Sequence, residues 1–128
     1  RRVLFRSDFW ARWCPPCLAE MEPLKQLRSK FSTDDLIIYS ICVSEPKEQW
    51  EECLNEYSLK NRGIECVHVT DYLGIDNYQK IRKQWKIDRM PYYILINRKG
   101  QIIDFGTAAR PSNPQLVSRI EEAVKDTK

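Results

Sequence analysis

Asp8-Phe9-Trp10-Ala11-Arg12-Trp13-Cys14-Pro15-Pro16-Cys17-Leu18-Ala19-Glu20-Met21 holds most of what is chemically unusual in the chain. An apolar and aromatic run leads into two cysteines separated by Pro15 and Pro16. Proline is tolerated in the first turn of a helix and not deeper, so this pair marks where a helix begins and puts both thiols at a strand-to-helix junction. A thiol there faces backbone N–H groups that have no intrahelical partner, at the positive end of the helix, and both favour thiolate. Such surroundings lower a cysteine pKa from about 8.5 to between roughly 3.5 and 7.5. Cys14 is therefore the candidate nucleophile. Cys17, one turn further in, is placed to attack the mixed disulfide that Cys14 forms. Pro15 and Pro16 stiffen the loop, and Trp13 shields one side of it.

Cys17 needs a proton acceptor when it attacks, and two carboxylates are within reach of it in the sequence. Asp8 lies on the incoming strand, wedged between apolar neighbours. Glu20 stands three residues after Cys17, on the same helical face. An acid buried beside the dithiol is raised by desolvation and relays a proton near neutral pH. Glu20 reads equally well as a solvated residue of the first helix, so the choice between the two acids stays open.

Outward from this stretch, Val3-Leu4-Phe5 and Asp8-Phe9-Trp10 read as a buried strand interrupted by Arg6 and Ser7. In a strand covered on both faces, Arg6 has to reach solvent or find an acidic partner. Leu18, Met21, Leu24, Leu27 and Phe31 follow the helix period up to about Lys30, with a kink expected at Pro23. Leu36 to Val43 is an almost unbroken apolar run, the mark of a central strand. Ser44-Glu45-Pro46 opens a helix with Trp50, Cys53, Leu54 and Tyr57 on one face, ending near Asn61-Arg62-Gly63. Ile64 to Val69 reads as a short strand, and Asn77 to Trp85 as a helix displaying Tyr78, Ile81 and Trp85. Tyr92 to Ile96 and Gln101 to Phe105, joined by Asn97-Arg98-Lys99-Gly100, form an antiparallel hairpin. Ser112-Asn113-Pro114 caps a last helix carrying Leu116, Ile120 and Val124. The order predicts an α/β fold: a mixed central sheet with helices on both faces, closed by a C-terminal antiparallel hairpin and then a helix.

At 128 residues and 15.2 kDa the chain fits one domain, expected to span 1–128, with a core that needs no disulfide staples. The net charge of +3 is too small and too scattered for a nucleic-acid or anionic-membrane surface, so neither nucleic acid nor membrane contact by this domain is expected. No segment has the 18 or so uninterrupted apolar residues of a bilayer span. Five cysteines, an odd number, do not make a dense secreted disulfide framework. Arg1 rather than Met at the start suggests the mature or excised part of a longer chain.

Asp8-Phe9-Trp10-Ala11 followed by Trp13-Cys14-Pro15-Pro16-Cys17 resembles the active-site segment of thioredoxin-fold proteins, and Met90-Pro91 ahead of the hairpin resembles that fold's cis-proline. Pro-Pro between the cysteines, with Ala19-Glu20-Met21 after them, is closer to the TlpA/ResA-like branch of extracytoplasmic thiol-disulfide oxidoreductases. The resemblance spans essentially the whole chain. It implies a thioredoxin fold, a cis Pro91 against the dithiol that keeps side chains and metals off the contact face, and a Met90 backbone presented to a substrate strand. It also implies a protein disulfide substrate, an upstream thiol electron donor, reduction rather than oxidation, no bound cofactor or metal, and an extracytoplasmic or periplasmic location with tethering through an upstream segment. In that branch the residue matching Glu20 is a buried acid near the dithiol; in thioredoxins proper, the residue matching Asp8 is. Three departures stand out: Pro23 falls six residues after Cys17 instead of five, Arg6-Ser7 replaces an aliphatic pair, and Met90 precedes the cis-proline.

The remaining residues invite plainer readings. Cys42 is a small buried hydrophobe. Cys53 and Cys66 are near enough in the predicted order to pair, though separate thiols are the simpler expectation. His68, between Val67 and Val69, reads as a half-exposed strand histidine and not as a fourth ligand to Cys14, Cys17 and Cys66. Trp50, Tyr57, Tyr78 and Trp85 read as core. Tyr92 and Tyr93 are expected to place one ring inside and one outside. Against the oxidoreductase stand a non-catalytic binding module of the same fold and, more weakly, a peroxidase using one thiolate.

Overall fold

The computed structural model describes residues 3–43, 46–60, 63–68, 75–84, 86–87 and 89–126. β1 (Leu4–Trp10) is continuous, and Arg6 and Ser7 do not interrupt it. It is followed by α1 (Pro15–Ala19), α2 (Met21–Lys30), β2 (Leu36–Cys42), α3 (Lys47–Glu56), β3 (Ile64–His68) and α4 (Ile75–Gln84). β4 (Tyr92–Ile96), β5 (Ile102–Gly106), a 3-10 turn (Thr107–Ala109) and α5 (Pro114–Lys125) complete the order. The strands form one sheet, β3-β2-β1-β4-β5. β1 pairs in parallel with β2 and β2 with β3, whereas β4 runs antiparallel to both β1 and β5. This is the mixed sheet with a terminal hairpin that the element order predicts. The expectations for Tyr78, Ile81 and Trp85 lie outside the described residues and side chains.

The first helix departs from expectation in an instructive way. Instead of one helix bent at Pro23, the chain breaks at Glu20, and Pro23 takes the third position of α2. A proline ring collides with the carbonyl four residues back, here that of Ala19, so the disruption appears upstream of the proline and coincides with the last residue of α1. Its missing N–H costs nothing in a first turn, and the ladder resumes with Leu24 N–H donating to Glu20 O at 2.9 Å. α3 also ends earlier than expected, at Glu56, with Ser58 left-handed at φ 54°. Asn113 caps α5, its side chain accepting from the Gln115 N–H.

By strand alternation, Leu4, Arg6, Asp8 and Trp10 share one face of β1, and Phe5, Ser7 and Phe9 the other. On the first face, Leu4 joins Leu24 and Leu27 of α2 and Leu116 and Ile120 of α5. At the other end of that face, Trp10 joins Cys14, Cys17, Met21 and residues Trp50, Cys53 and Leu54 of α3. Arg6 and Asp8 are interposed between these two apolar clusters. Phe9 packs across the opposite face with Ile41, Ile87, Tyr92 and Ile94. Tyr92 and Tyr93 are therefore both buried, at 6% and 2% exposure, because β4 is covered on both faces; the expectation of one outward ring is corrected. His68 is likewise buried and not half-exposed, its ring edge-on to Trp50 at 5.7 Å.

Candidate active site

Cys14 and Cys17 form a disulfide with Cα atoms 5.3 Å apart. Cys14 sits outside the first turn in extended conformation, at φ −106° and ψ 98°, and its Sγ accepts the Cys17 N–H at 3.3 Å. The sulfur thus occupies the place of a capping side chain. Since α1 has five residues before the break, the local N–H groups, more than the dipole of a long helix, are what this sulfur meets. Both cysteines are buried, whereas Trp13 beside them is 64% exposed and Pro15 and Pro16 face solvent. The Met90-Pro91 bond is cis, as the resemblance implies, and Met90 packs against the cluster that holds both cysteines.

The two candidate acids are both brought to the dithiol, and their surroundings differ. Asp8, Cys17 and Glu20 line one cavity of about 10 Å³ with Trp10, Tyr93 and Pro111, on the order of one water in size. Asp8 is 3% exposed, and burial raises its carboxyl from the ordinary range to about 6, partly offset by Arg6 and helped upward by Glu20. Neither Asp8 oxygen accepts a hydrogen bond among the described residues. The Arg6 Nε lies 2.8 Å from Asp8 Oδ1, a charge contact whose N–H groups are not aligned for a hydrogen bond. Glu20, by contrast, is engaged: Ser112 donates its N–H to Oε1 at 2.9 Å and its hydroxyl to Oε2 at 2.7 Å.

Arg6 does not reach solvent; it finds the acidic partner that its burial requires. Its side chain is wholly buried, donates from Nη2 to the Ala109 carbonyl at 2.5 Å, and lies 4.5 Å over the Tyr93 ring. The period of two along β1 places Arg6 and Asp8 on one face, and that signal was sufficient to suggest the pair. Ser112, 92 residues from Glu20, left no such local signal. Cys53 and Cys66 are not disulfide-bonded, and the Cys66 thiol donates to the Leu59 carbonyl at 3.3 Å. Among the described residues no group of three or more His, Cys, Asp or Glu is arranged to hold a metal ion.

A family model described as Redoxin matches residues 3–124. The chain belongs to the redoxin family. Within it, this redoxin is similar to the thiol-disulfide oxidoreductase ResA of Halalkalibacterium halodurans, 25% identical over 118 residues that cover 92% of the chain and 60% of that protein. ResA of Bacillus thuringiensis is 26% identical over 97 residues, 76% of the chain and 50% of ResA. The chain thus spans about half the length of the curated relatives it matches. A solution structure from Bacteroides vulgatus, described by inference as a thiol-disulfide oxidoreductase, is 31% identical with a TM-score of 0.70, covering 95% of this chain and 74% of its own. A Neisseria meningitidis thioredoxin-like structure superposes with a TM-score of 0.77 at 17% identity, over 100% of this chain and 79% of that one, which establishes the thioredoxin fold. The redoxin is a TlpA/ResA-like protein with a Cys14–Cys17 pair.

Proposed function

We propose that this redoxin is a thiol-disulfide oxidoreductase that reduces protein disulfides through Cys14 and Cys17. The observation that carries the reading is the Cys14–Cys17 disulfide at the start of α1, with Cys17 sharing a cavity with the buried carboxylate of Asp8. In the reduced form the Cys14 thiolate attacks one substrate sulfur, forming a mixed disulfide and expelling the other substrate sulfur as a thiolate. Cys17 then gives up its proton and attacks Cys14 Sγ; the second substrate sulfur leaves, and the internal disulfide remains. Two electrons pass to the substrate, and an upstream thiol donor returns the pair to the dithiol.

Asp8 is the acceptor of the Cys17 proton in this scheme. With its carboxyl at about 6 it is mostly ionised at neutral pH, yet close enough in pKa to return the proton. Glu20 shapes the charge around the cavity and accepts one hydrogen bond from Ser112 on each oxygen. The exposed Trp13, Pro15 and Pro16 form the rim, and the Met90 backbone beside Pro91 receives an extended substrate segment. The electrons reside in the dithiol, so the scheme calls for no cofactor. An extracytoplasmic location belongs to the same proposal, on the strength of the TlpA/ResA-like resemblance.

Insulin-disulfide reduction tests the reading. Cys14→Ser is expected to abolish turnover, and a Cys14→Ser variant working at the wild-type rate would overturn it. A reduction-potential titration separates it from the binding module: the oxidoreductase cycles reversibly within the range of roughly −270 to −120 mV spanned by thioredoxin and its oxidising relatives.

A further inference from the structure

Resting on the oxidoreductase reading, we infer that Arg6 is a positioning residue that keeps Asp8 ionised beneath Cys17, so that β1 carries a counter-ion for its own proton acceptor. The geometry holds this cation in place from three sides. The Tyr93 ring lies under the guanidinium at 4.5 Å, the Ala109 carbonyl takes Nη2, and Nε stands 2.8 Å from Asp8 Oδ1. The side chain is wholly covered, at 0% exposure.

The groups around Asp8 make Arg6 decisive. Removal from water drives a carboxyl at this depth toward its neutral form, and Glu20, facing it from the junction of α1 and α2, pushes the same way. Tyr93, facing it from β4, stays a neutral phenol because burial and then the Asp8 charge push its pKa up, with Glu20 adding to them; Arg6 and, less, Arg110 act on that phenol in the opposite sense. Cys17 shares the cavity and supplies the proton. Arg6 is the one cation in contact with Asp8 among the described residues. Arginine suits the place because its planar guanidinium stays charged when buried and stacks on a ring, which an ammonium group does less well.

A merely structural Arg6 would change stability and leave proton transfer alone, so the test follows the acid itself. The carboxyl carbon of Asp8 is titrated by NMR in the full chain, reduced and oxidised, alongside the pH profile of insulin reduction. Wild type is expected to titrate at about 6. Arg6→Leu is expected to move that midpoint up by at least about one pH unit, with the rate up to about tenfold lower on the acidic limb and converging on wild type at alkaline pH. Arg6→Lys should restore most of the shift. In an Asp8→Asn background, adding Arg6→Leu should shift nothing further. Should Arg6→Leu fail to fold, Arg6→Gln removes the charge with less loss of polar contact and is read the same way. An Asp8 midpoint that stays within a few tenths of wild type in either neutral variant overturns the inference, and leaves the oxidoreductase reading standing. Full activity in Cys14→Ser would overturn that reading without altering the carboxyl titration.

Discussion

Among the described residues, two arginines carry a guanidinium into the interior of this redoxin, and what answers each charge is different. Arg28, in α2, is 5% exposed and donates to three backbone carbonyls, those of Leu36 at 2.5 Å, Phe31 at 2.9 Å and Gly63 at 3.1 Å. Arg6 is answered by a carboxylate, with a single carbonyl and an aromatic ring in support. Carbonyls do not titrate, so Arg28 joins the end of α2 to the start of β2 and to β3 in a way indifferent to pH. A carboxylate titrates, so the contact of Arg6 changes with the protonation of Asp8. One buried cation is architecture, and in the proposed scheme the other is coupled to chemistry.

The largest expected effect is at Arg28. Arg28→Ala leaves three carbonyls short of a charged donor and is expected to cost about 3–5 kcal/mol in denaturant unfolding, with the pH profile of the remaining activity unmoved. A shifted profile would make Arg28 part of the site after all.

The second contrast is in the pH dependence of stability. Asp8 has its folded-state pKa raised from 3.8 to about 6, so the folded protein holds this proton over a range in which the unfolded chain has lost it. The stability it contributes is therefore complete below about pH 4 and is lost as pH rises through about 6, by on the order of 3 kcal/mol. Unfolding free energies measured from pH 4 to 8 should show this fall in wild type and its disappearance in Asp8→Asn. A flat profile over the same interval would mean that the folded-state carboxyl is not raised above its ordinary range.

The smallest effect lies in the turn that serves Arg28. Gly63 has φ +88°, and a Cβ there would come within 2.7 Å of Thr33 Cγ2 and 3.0 Å of Arg28 Cδ. Gly63→Ala should cost about 2 kcal/mol, again without effect on the redox pH profile, and thermal melts would register it.

Much of this was legible along the chain because it depends on local rules. Pro15 and Pro16 located the start of α1, the apolar run of β2 marked a central strand, and the turn at Asn97 to Gly100 implied the antiparallel hairpin. Alternation misled at Tyr92 and Tyr93, since a period of two assigns faces and says nothing of whether the second face is covered. His68 was misjudged for the same reason, at the edge of the sheet but beneath Trp50. The site itself was half legible: both acids could be named, and their contrast could not, because it depends on Ser112 arriving from 92 residues away to occupy one of them.

The Cys66 thiol, held to the Leu59 carbonyl, bears on selectivity among sulfurs. It packs against the same cluster as Cys14 and Cys17, and burial first, then the Glu65 charge, push its pKa up to about 11. At pH 7 only about one such sulfur in ten thousand is a thiolate. A disulfide rearranges by thiolate attack, so this thiol is kept in a form too unreactive to scramble the Cys14–Cys17 disulfide.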